Sequence, residues 1–269
     1  MSKSEQKLEV VTIMFSDERR QQIINILKEN KFINVSELAK RFFTSEATIR
    51  RDLNKLKATG VLKRTYGGAV LIEGIDAEIP LAVREEEHTS EKEHIARTAS
   101  NLIKEGAVII IDSSSTCAKL IPHLFHKNPK TVITNSPKTA IMLTQNSKLN
   151  IYCTGGFLRS HSLSYVGEAA RNMISSIFVD MLFFSCGGAS IDNGLTDPSE
   201  EEAELKRAMI KHAQKKVVLI DSTKFNKNCF ARICDFSVID YIVTDHRLSD
   251  DWEKHLQDNH VQILYSDND

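Results

Sequence analysis

No stretch of eighteen apolar residues occurs anywhere along the 269-residue chain, so no segment reads as a membrane-spanning helix. The start, Met1-Ser2-Lys3-Ser4-Glu5, is too polar for a secretory signal, and the expectation is a soluble, cytoplasmic protein with no membrane partner. Cysteine is sparse: Cys117, Cys153, Cys186, Cys229 and Cys234. The number is odd and no C-x-x-C pair occurs, which argues against a zinc site or a disulfide framework. Buried reduced thiols are expected instead, with neither metal nor other cofactor. Internal repeats and low-complexity tracts are absent too.

Net charge is also nearly missing, at −1, but it is unevenly spread. Residues 1–70 hold 14 Lys and Arg against 8 Asp and Glu, a balance of +6; the other 199 hold 21 against 28, a balance of −7. A small basic segment on an acidic body points to a polyanionic partner for the small segment alone. With 41% apolar and 26% charged residues, the chain has material for a real core and room for two domains.

Residues 1–15 read as an arm. A helix begins at Ser16-Asp17-Glu18 and runs to about Asn30, with Ile23, Ile26 and Leu27 inward. Val35, Leu38, Ala39 and Phe42 fall at helical spacing behind a Ser36 cap; Ile49, Leu53 and Leu56 do so behind Thr44 or Ser45. Two short apolar runs then flank Tyr66-Gly67-Gly68 as a hairpin, completing a winged helix-turn-helix over 16–72. Residues 73–89 lack periodicity and read as a linker. Over 90–269, seven strand-like runs alternate with helical segments: 107–112, 131–134, 149–154, 181–186, 217–221, 239–244 and 261–265. Ser90-x-x-Glu93, Ser199-x-x-Glu202 and Ser136-Pro137 mark helix starts. The fold class is therefore α/β, a small winged helix-turn-helix followed by a mostly parallel sheet covered on both faces.

At 100° per residue, with Ile49 turned to the core, Ala47, Thr48, Arg51, Asn54 and Lys55 point outward and Arg50 lies on the flank. Arg suits guanine O6/N7, Asn suits adenine, and Lys suits phosphate, so this face fits a major groove of double-stranded DNA. Ser45 at the helix start can hold a backbone phosphate, and Lys63, Arg64 and Tyr66 on the wing are placed to touch the adjacent backbone. A solvated charged face is the bland alternative; the basic balance and the tri-helical setting weigh against it.

In an open parallel sheet, ligands gather outside the carboxyl ends of the strands. Those ends read Asp112-Ser113-Ser114-Ser115-Thr116, Thr134-Asn135-Ser136, Thr154-Gly155-Gly156, Cys186-Gly187-Gly188, Asp221-Ser222-Thr223-Lys224 and Thr244-Asp245. Hydroxyls and glycine amides suit a phosphate, Lys224, Arg159 and Lys206 add positive charge, and Asp112 and Asp221 can accept sugar hydroxyls. Turns are rich in such residues anyway; only the convergence of the set argues for a small-molecule site.

The runs Val35-Ser36-Glu37-Leu38-Ala39-Lys40-Arg41-Phe42, Ser45-x-x-Thr48-Ile49-Arg50-Arg51-Asp52-Leu53 and Gly60-x-Leu62-x-Arg64-x-Tyr66-Gly67-Gly68-Ala69 resemble the DeoR-type family of transcriptional regulators. The resemblance extends almost end to end. It implies a sensor domain similar in fold to ribose-5-phosphate isomerase and glucosamine-6-phosphate deaminase, a phosphorylated sugar or polyol effector, and a homo-oligomer, dimer or tetramer, on operator DNA. The family's first loop is D-S-G-T-T, and this chain has Ser114 and Ser115 there; its wing more often carries His where Tyr66 stands. The expected function is a repressor of a carbohydrate-utilisation operon, without catalysis. A phosphosugar isomerase or deaminase fused to a DNA-binding module is the alternative, although His161 is the nearest histidine to the loops.

Overall fold

The structure, a computed structural model, describes residues 16–30, 32–58, 61–65, 67–71 and 78–266. The chain divides into two compact units, Met1–Ile72 and Glu73–Asp269. The expected arm, Tyr66 and the stretch 72–77 lie outside the described residues, as does the side chain of Lys63.

In the smaller unit, α1 is Ser16–Asn30, β1 Phe32–Asn34, α2 Val35–Arg41, α3 Glu46–Ala58, β2 Leu62–Thr65 and β3 Gly68–Leu71. Ile23, Leu27, Leu38, Ile49, Leu53 and Leu62 are fully buried, each contributing about 1.5–3 kcal/mol relative to an exposed position. The hairpin β2–β3 is joined by β1, giving an antiparallel sheet in the order β1-β3-β2, one strand more than the pattern predicts. Gly68 is required where β1 crosses: a Cβ there would lie 2.1 Å from the Ile33 carbonyl oxygen. The cap of α2 is Asn34, not Ser36. Asn34 is extended, and its Oδ1 accepts from the Ser36 amide at 3.0 Å, so the helix starts two residues earlier than expected.

The larger unit runs α4 Leu81–Glu86, α5 Thr89–Ser100, β4 Val108–Ile111, α6 Ser115–Ala118, α7 Ile121–Lys127, β5 Thr131–Thr134, α8 Pro137–Leu143, β6 Asn150–Cys153, β7 Phe157–Arg159 and β8 Ser164–Val166. It continues with α9 Glu168–Ser175, β9 Val179–Phe184, β10 Gly188–Ser190, β11 Gly194–Asp197, α10 Glu200–Lys211, β12 Ala213–Leu219, β13 Ala231–Cys234, β14 Tyr241–Thr244, α11 Asp250–Asp258 and β15 Gln262–Tyr265. The seven expected strands form one sheet, all parallel, in the order β15-β14-β12-β9-β4-β5-β6. Alternate residues feed two separate cores: Ile110, Leu182, Phe184 and Val218 on one face, Ile109, Ile111, Phe183 and Val217 on the other. Double burial explains why these strands are apolar runs rather than alternating ones. The strand order reverses between β4 and β9, and this switch point places the ends of those two strands at the mouth of a crevice.

Three expectations change. Residues 78–89 are not free linker: α4 forms there, Leu81 and Val83 are buried, and the Leu81 amide donates to His161 O at 2.9 Å. Ser90 does not cap α5. His88 precedes the helix in a left-handed conformation, φ 52°, because α4 turns directly into α5 and leaves no room for an extended cap. Cys153 is exposed on the edge strand β6, whereas Cys117 and Cys186 are buried.

Candidate nucleic-acid interface and effector site

α3 has two faces. Ile49, Leu53 and Leu56 pack inward; Arg50, Arg51, Asn54 and Lys55 are exposed. Ser45 Oγ accepts from the Thr48 amide at 3.1 Å and lies 2.9 Å from Thr48 Oγ1, so both expected residues act at the helix start. Arg50 reaches back to Glu46 at 2.9 Å, and Arg64 on β2 donates to Asn54 Oδ1 at 2.8 Å, bringing wing and helix to one polar surface. Asp52 went unmarked in the sequence reading. It is buried and holds Arg19 of α1 at 2.7 Å, clamping the presented helix to the unit's core. The helical wheel carries the signal for it, since Asp52 falls beside Leu53 and Leu56 on the inner side.

At the carboxyl ends of the parallel strands the expected residues meet in a connected network. Asp112 Oδ1 accepts from the Ser114 amide at 3.0 Å and Ser114 Oγ at 2.5 Å; its Oδ2 accepts from the Ser185 amide at 3.0 Å across the switch point. Lys206, rising from α10, lies 3.7 Å from Asp112 and 2.6 Å from Asp197. Burial alone would lower the Lys206 ammonium, but the Asp197, Asp112 and Glu202 carboxylates outweigh it and hold it above the ordinary lysine range. Burial opposes ionisation of Asp197 as well, and Lys206 overrides it, keeping that carboxyl below the usual range. Glu202 behaves otherwise: burial dominates and pushes it up. Its Oε1 accepts from Ser164 Oγ and, at 3.4 Å, from Arg159.

Lys224 donates to Cys186 O at 3.0 Å and lies 3.7 Å from Asp221. Asn135 donates to Ser113 Oγ and to Tyr165 O, both at 3.3 Å. Thr134 Oγ1 and Ser136 Oγ are used by the turn and cap before α8, accepting from the amides of Ser136 and Thr139 at 3.1 Å. Ser115 and Thr116 are buried in α6. Gly155 and Gly156 have φ of 63° and 114°, and a Cβ on Gly156 would lie 2.5 Å from Val166 O. Gly187 and Gly188 are not bare amides turned to a ligand. The Gly187 amide donates to Thr196 O at 2.8 Å, and Gly188 opens β10, where a Cβ would lie 2.5 Å from Lys227 O. Among the described residues, six buried side-chain atoms lack a hydrogen-bond partner: Thr116 Oγ1, Asn135 Oδ1, Asp221 Oδ2 and Ser266 Oγ follow the carboxyl ends of parallel strands, and Arg20 NH1 and His94 Nδ1 belong to α1 and α5.

Asp197, Ser185 and Glu78 were missed by the sequence reading. For Asp197 a signal existed in the Asp-Pro-Ser start of α10; Glu78, 81 residues from its partner Arg159, left none.

Residues 19–74 match the DeoR-like helix-turn-helix domain, and residues 87–246 match the DeoR C terminal sensor domain. The chain is 36% identical over 245 residues to the HTH-type transcriptional regulator GolR of Listeria innocua, covering 91% of this chain and 96% of that one. It is 31% identical to a putative aga operon transcriptional repressor of Escherichia coli O157:H7, with 93% of each chain covered. It is 32% identical to the L-fucose operon activator of Haemophilus influenzae, covering 91% and 98%. A solved ribose 5-phosphate isomerase from Methanocaldococcus jannaschii overlays 52% of this chain and 55% of its own at 18% identity and a TM-score of 0.39, too slight a likeness to carry an argument.

Proposed function

Since the chain belongs to the DeoR family of DNA-binding transcriptional regulators, which are not enzymes, we propose that it represses an operon for carbohydrate use and is released by a phosphorylated sugar or polyol. The exposed face of α3 enters the major groove, with Arg51 and Asn54 towards base edges and Ser45, Thr48, Arg50, Lys55, Lys63, Arg64 and Tyr66 towards phosphates. A homo-oligomer, dimer or tetramer, in the cytoplasm presents two such helices to successive grooves. The effector binds across the strand ends, and its differential affinity for two sensor states lowers DNA affinity.

One observation carries the effector reading: Asp221 Oδ2, Asn135 Oδ1 and Thr116 Oγ1, which follow three of the parallel strands, are buried without a hydrogen-bond partner, Asp221 Oδ2 having only the Lys224 ammonium at 3.7 Å. Native proteins seldom leave such groups unsatisfied, and a polyhydroxylated ligand supplies hydroxyl donors to all of them. Repression is favoured over activation only by the named aga relative, and the L-fucose relative is named as an activator. The test is a thermal-shift screen of phosphorylated sugars and polyol phosphates against their unphosphorylated parents. A ligand of the folded state raises the melting temperature. The active compound should then weaken binding to the chain's own upstream DNA in a gel shift, and Lys224→Met should keep DNA binding while losing that response. A melting temperature unmoved by every phosphorylated compound rules the reading out.

A further inference from the structure

Each of the three cations expected at the sensor rim already has a carboxylate beside it. Lys206 has Asp197 and Asp112, Lys224 has Asp221, and Arg159 has Glu78. A phosphate can enter such a balanced surface only by taking the place of one carboxylate, because adding a second anion to an occupied pair brings repulsion and desolvation. Most of these carboxylates are fixed. Asp112 accepts from the Ser114 and Ser185 amides, Asp197 from the Ser199 amide at 3.1 Å, and Asp221 follows β12 and accepts from Thr223 Oγ1.

Glu78 is different. It lies outside helix and strand, and among the described residues its carboxylate bonds to Arg159 alone. The contact is fork on fork: Arg159 NH2 donates to Oε2 at 2.6 Å and NH1 to Oε1 at 3.0 Å. The remaining guanidinium bonds go to Ser162 Oγ at 3.2 Å and Glu202 at 3.4 Å, and burial pushes Glu202 towards its neutral form. Glu78 is thus the carboxylate held closest to Arg159, with Glu202 and Glu201 farther out in its field. The pair is mostly shielded, with 18% and 13% side-chain exposure, yet not sealed. A phosphate presents a guanidinium with the same two-oxygen edge and more charge.

We infer that Arg159 is the effector's phosphate subsite and that Glu78 is its built-in occupant, displaced when the phosphorylated ligand binds. This rests on the reading of the rim as an effector site and adds which carboxylate makes way for the phosphate. Glu78 stands six residues beyond Ile72, the last residue of the smaller unit. The chain is next held at Ile79, whose carbonyl oxygen accepts from Arg84 Nε at 2.8 Å, and at Pro80, which is buried and whose carbonyl oxygen accepts from the Val83 and Arg84 amides at 3.0 Å as α4 begins. Displacing Glu78 therefore releases that side chain and leaves the start of α4 in place.

The experiment titrates inorganic phosphate into the full chain by calorimetry for the wild type, Glu78→Asp, Glu78→Gln and Arg159→Met. Phosphate should bind in the order E78Q tighter than E78D tighter than wild type, at least tenfold across the series, and R159M should not bind. The shortened carboxylate of E78D keeps the charge, so it tests the ordering even if the neutral variant folds poorly. Equal affinities across the Glu78 series with binding lost in R159M would overturn the displacement and leave the rim reading standing. Unchanged binding in R159M would remove Arg159 from the site, whatever the Glu78 variants do.

Discussion

Arg51 and Lys55 on α3 are exposed, and no described residue pairs with either, whereas Lys206, Arg159 and Lys224 on the larger unit each have a carboxylate within 4 Å. The two regions thus hold positive charge for different purposes. Unpaired surface cations cost the fold little and wait for a polyanion, whose condensed counterions they release on contact. Paired, buried cations are part of the fold's own electrostatics, and a ligand reaches them only by substitution. Charge counted from sequence makes the smaller unit basic and the larger one acidic, but the environment of each cation decides what it can bind.

Lys206→Met should show the contrast at its largest. It leaves Asp197 and Asp112 buried without their counter-ion, and breaking such a pair costs about 3–5 kcal/mol. Lys55→Met on α3 should stay within about 0.5 kcal/mol of the wild type. Urea unfolding of both variants checks this, and similar midpoints would mean that Lys206 does not hold the rim together. Arg51→Ala comes next. It should leave the unfolding midpoint in place and weaken operator binding by about 1–3 kcal/mol, the range for losing one base-reading arginine. Unaltered gel-shift affinity would take Arg51 off the DNA-reading face.

The same contrast sets what the sequence makes legible. A helix face is written in residues 3.6 apart, so the opposed sides of α3 can be read without coordinates, and Ile49 inward with Arg51 and Lys55 outward is what the structure has. The seven parallel strands are legible too, because burial on both faces makes each an apolar run with a helix between. The short strands β7, β8, β10, β11 and β13 are not. They are three or four residues long, two begin at glycine, β7–β8 and β10–β11 are hairpins too short to show a period, and β13 joins β11 from far along the chain. At the rim, the rule of strand ends finds Asp112, Asn135, Asp221 and Lys224, but it cannot say who neutralises whom. Arg159 and Glu78 are separated by 81 positions, and Asp112 and Ser185 by 73. Caps fail for a related reason: Asn34 and His88 take their roles from the direction of the incoming chain, which neither Ser36 nor Ser90 records.

A smaller effect tests the turn that aims α3. Phe43, between α2 and α3, has φ 48° and 77% exposure. A left-handed phenylalanine costs about 1–2 kcal/mol, and exposure leaves little packing in return. Asn tolerates that conformation better. Phe43→Asn should raise stability by about 1 kcal/mol without changing the sensor's response to ligand. A loss of stability would mean that the ring makes contacts that outweigh the strain.

The last prediction concerns a cation that belongs fully to neither group. Lys92 of α5 is buried, donates to the carbonyls of Arg84 and Glu87, and lies in the field of Lys224 as well as Asp221. Burial first and Lys224 second lower its pKa to about 8, with Asp221 and Glu87 pulling the other way and Arg84 adding to the depression. In the unfolded chain the value returns to about 10.4. Between these limits the unfolded chain keeps a proton that the folded chain has released, so the Lys92 contribution to stability rises with pH across that window. Cys186 and Cys234, pushed up to about 12 by burial, act in the opposite sense above pH 9. Both groups are shared by Lys92→Met, so subtracting its stability curve from that of the wild type isolates the lysine. The difference should climb from pH 7.5 to 9.5. A flat difference would mean that the two carbonyls sustain the charge in full, and Lys92 would then join the balanced cations of the rim.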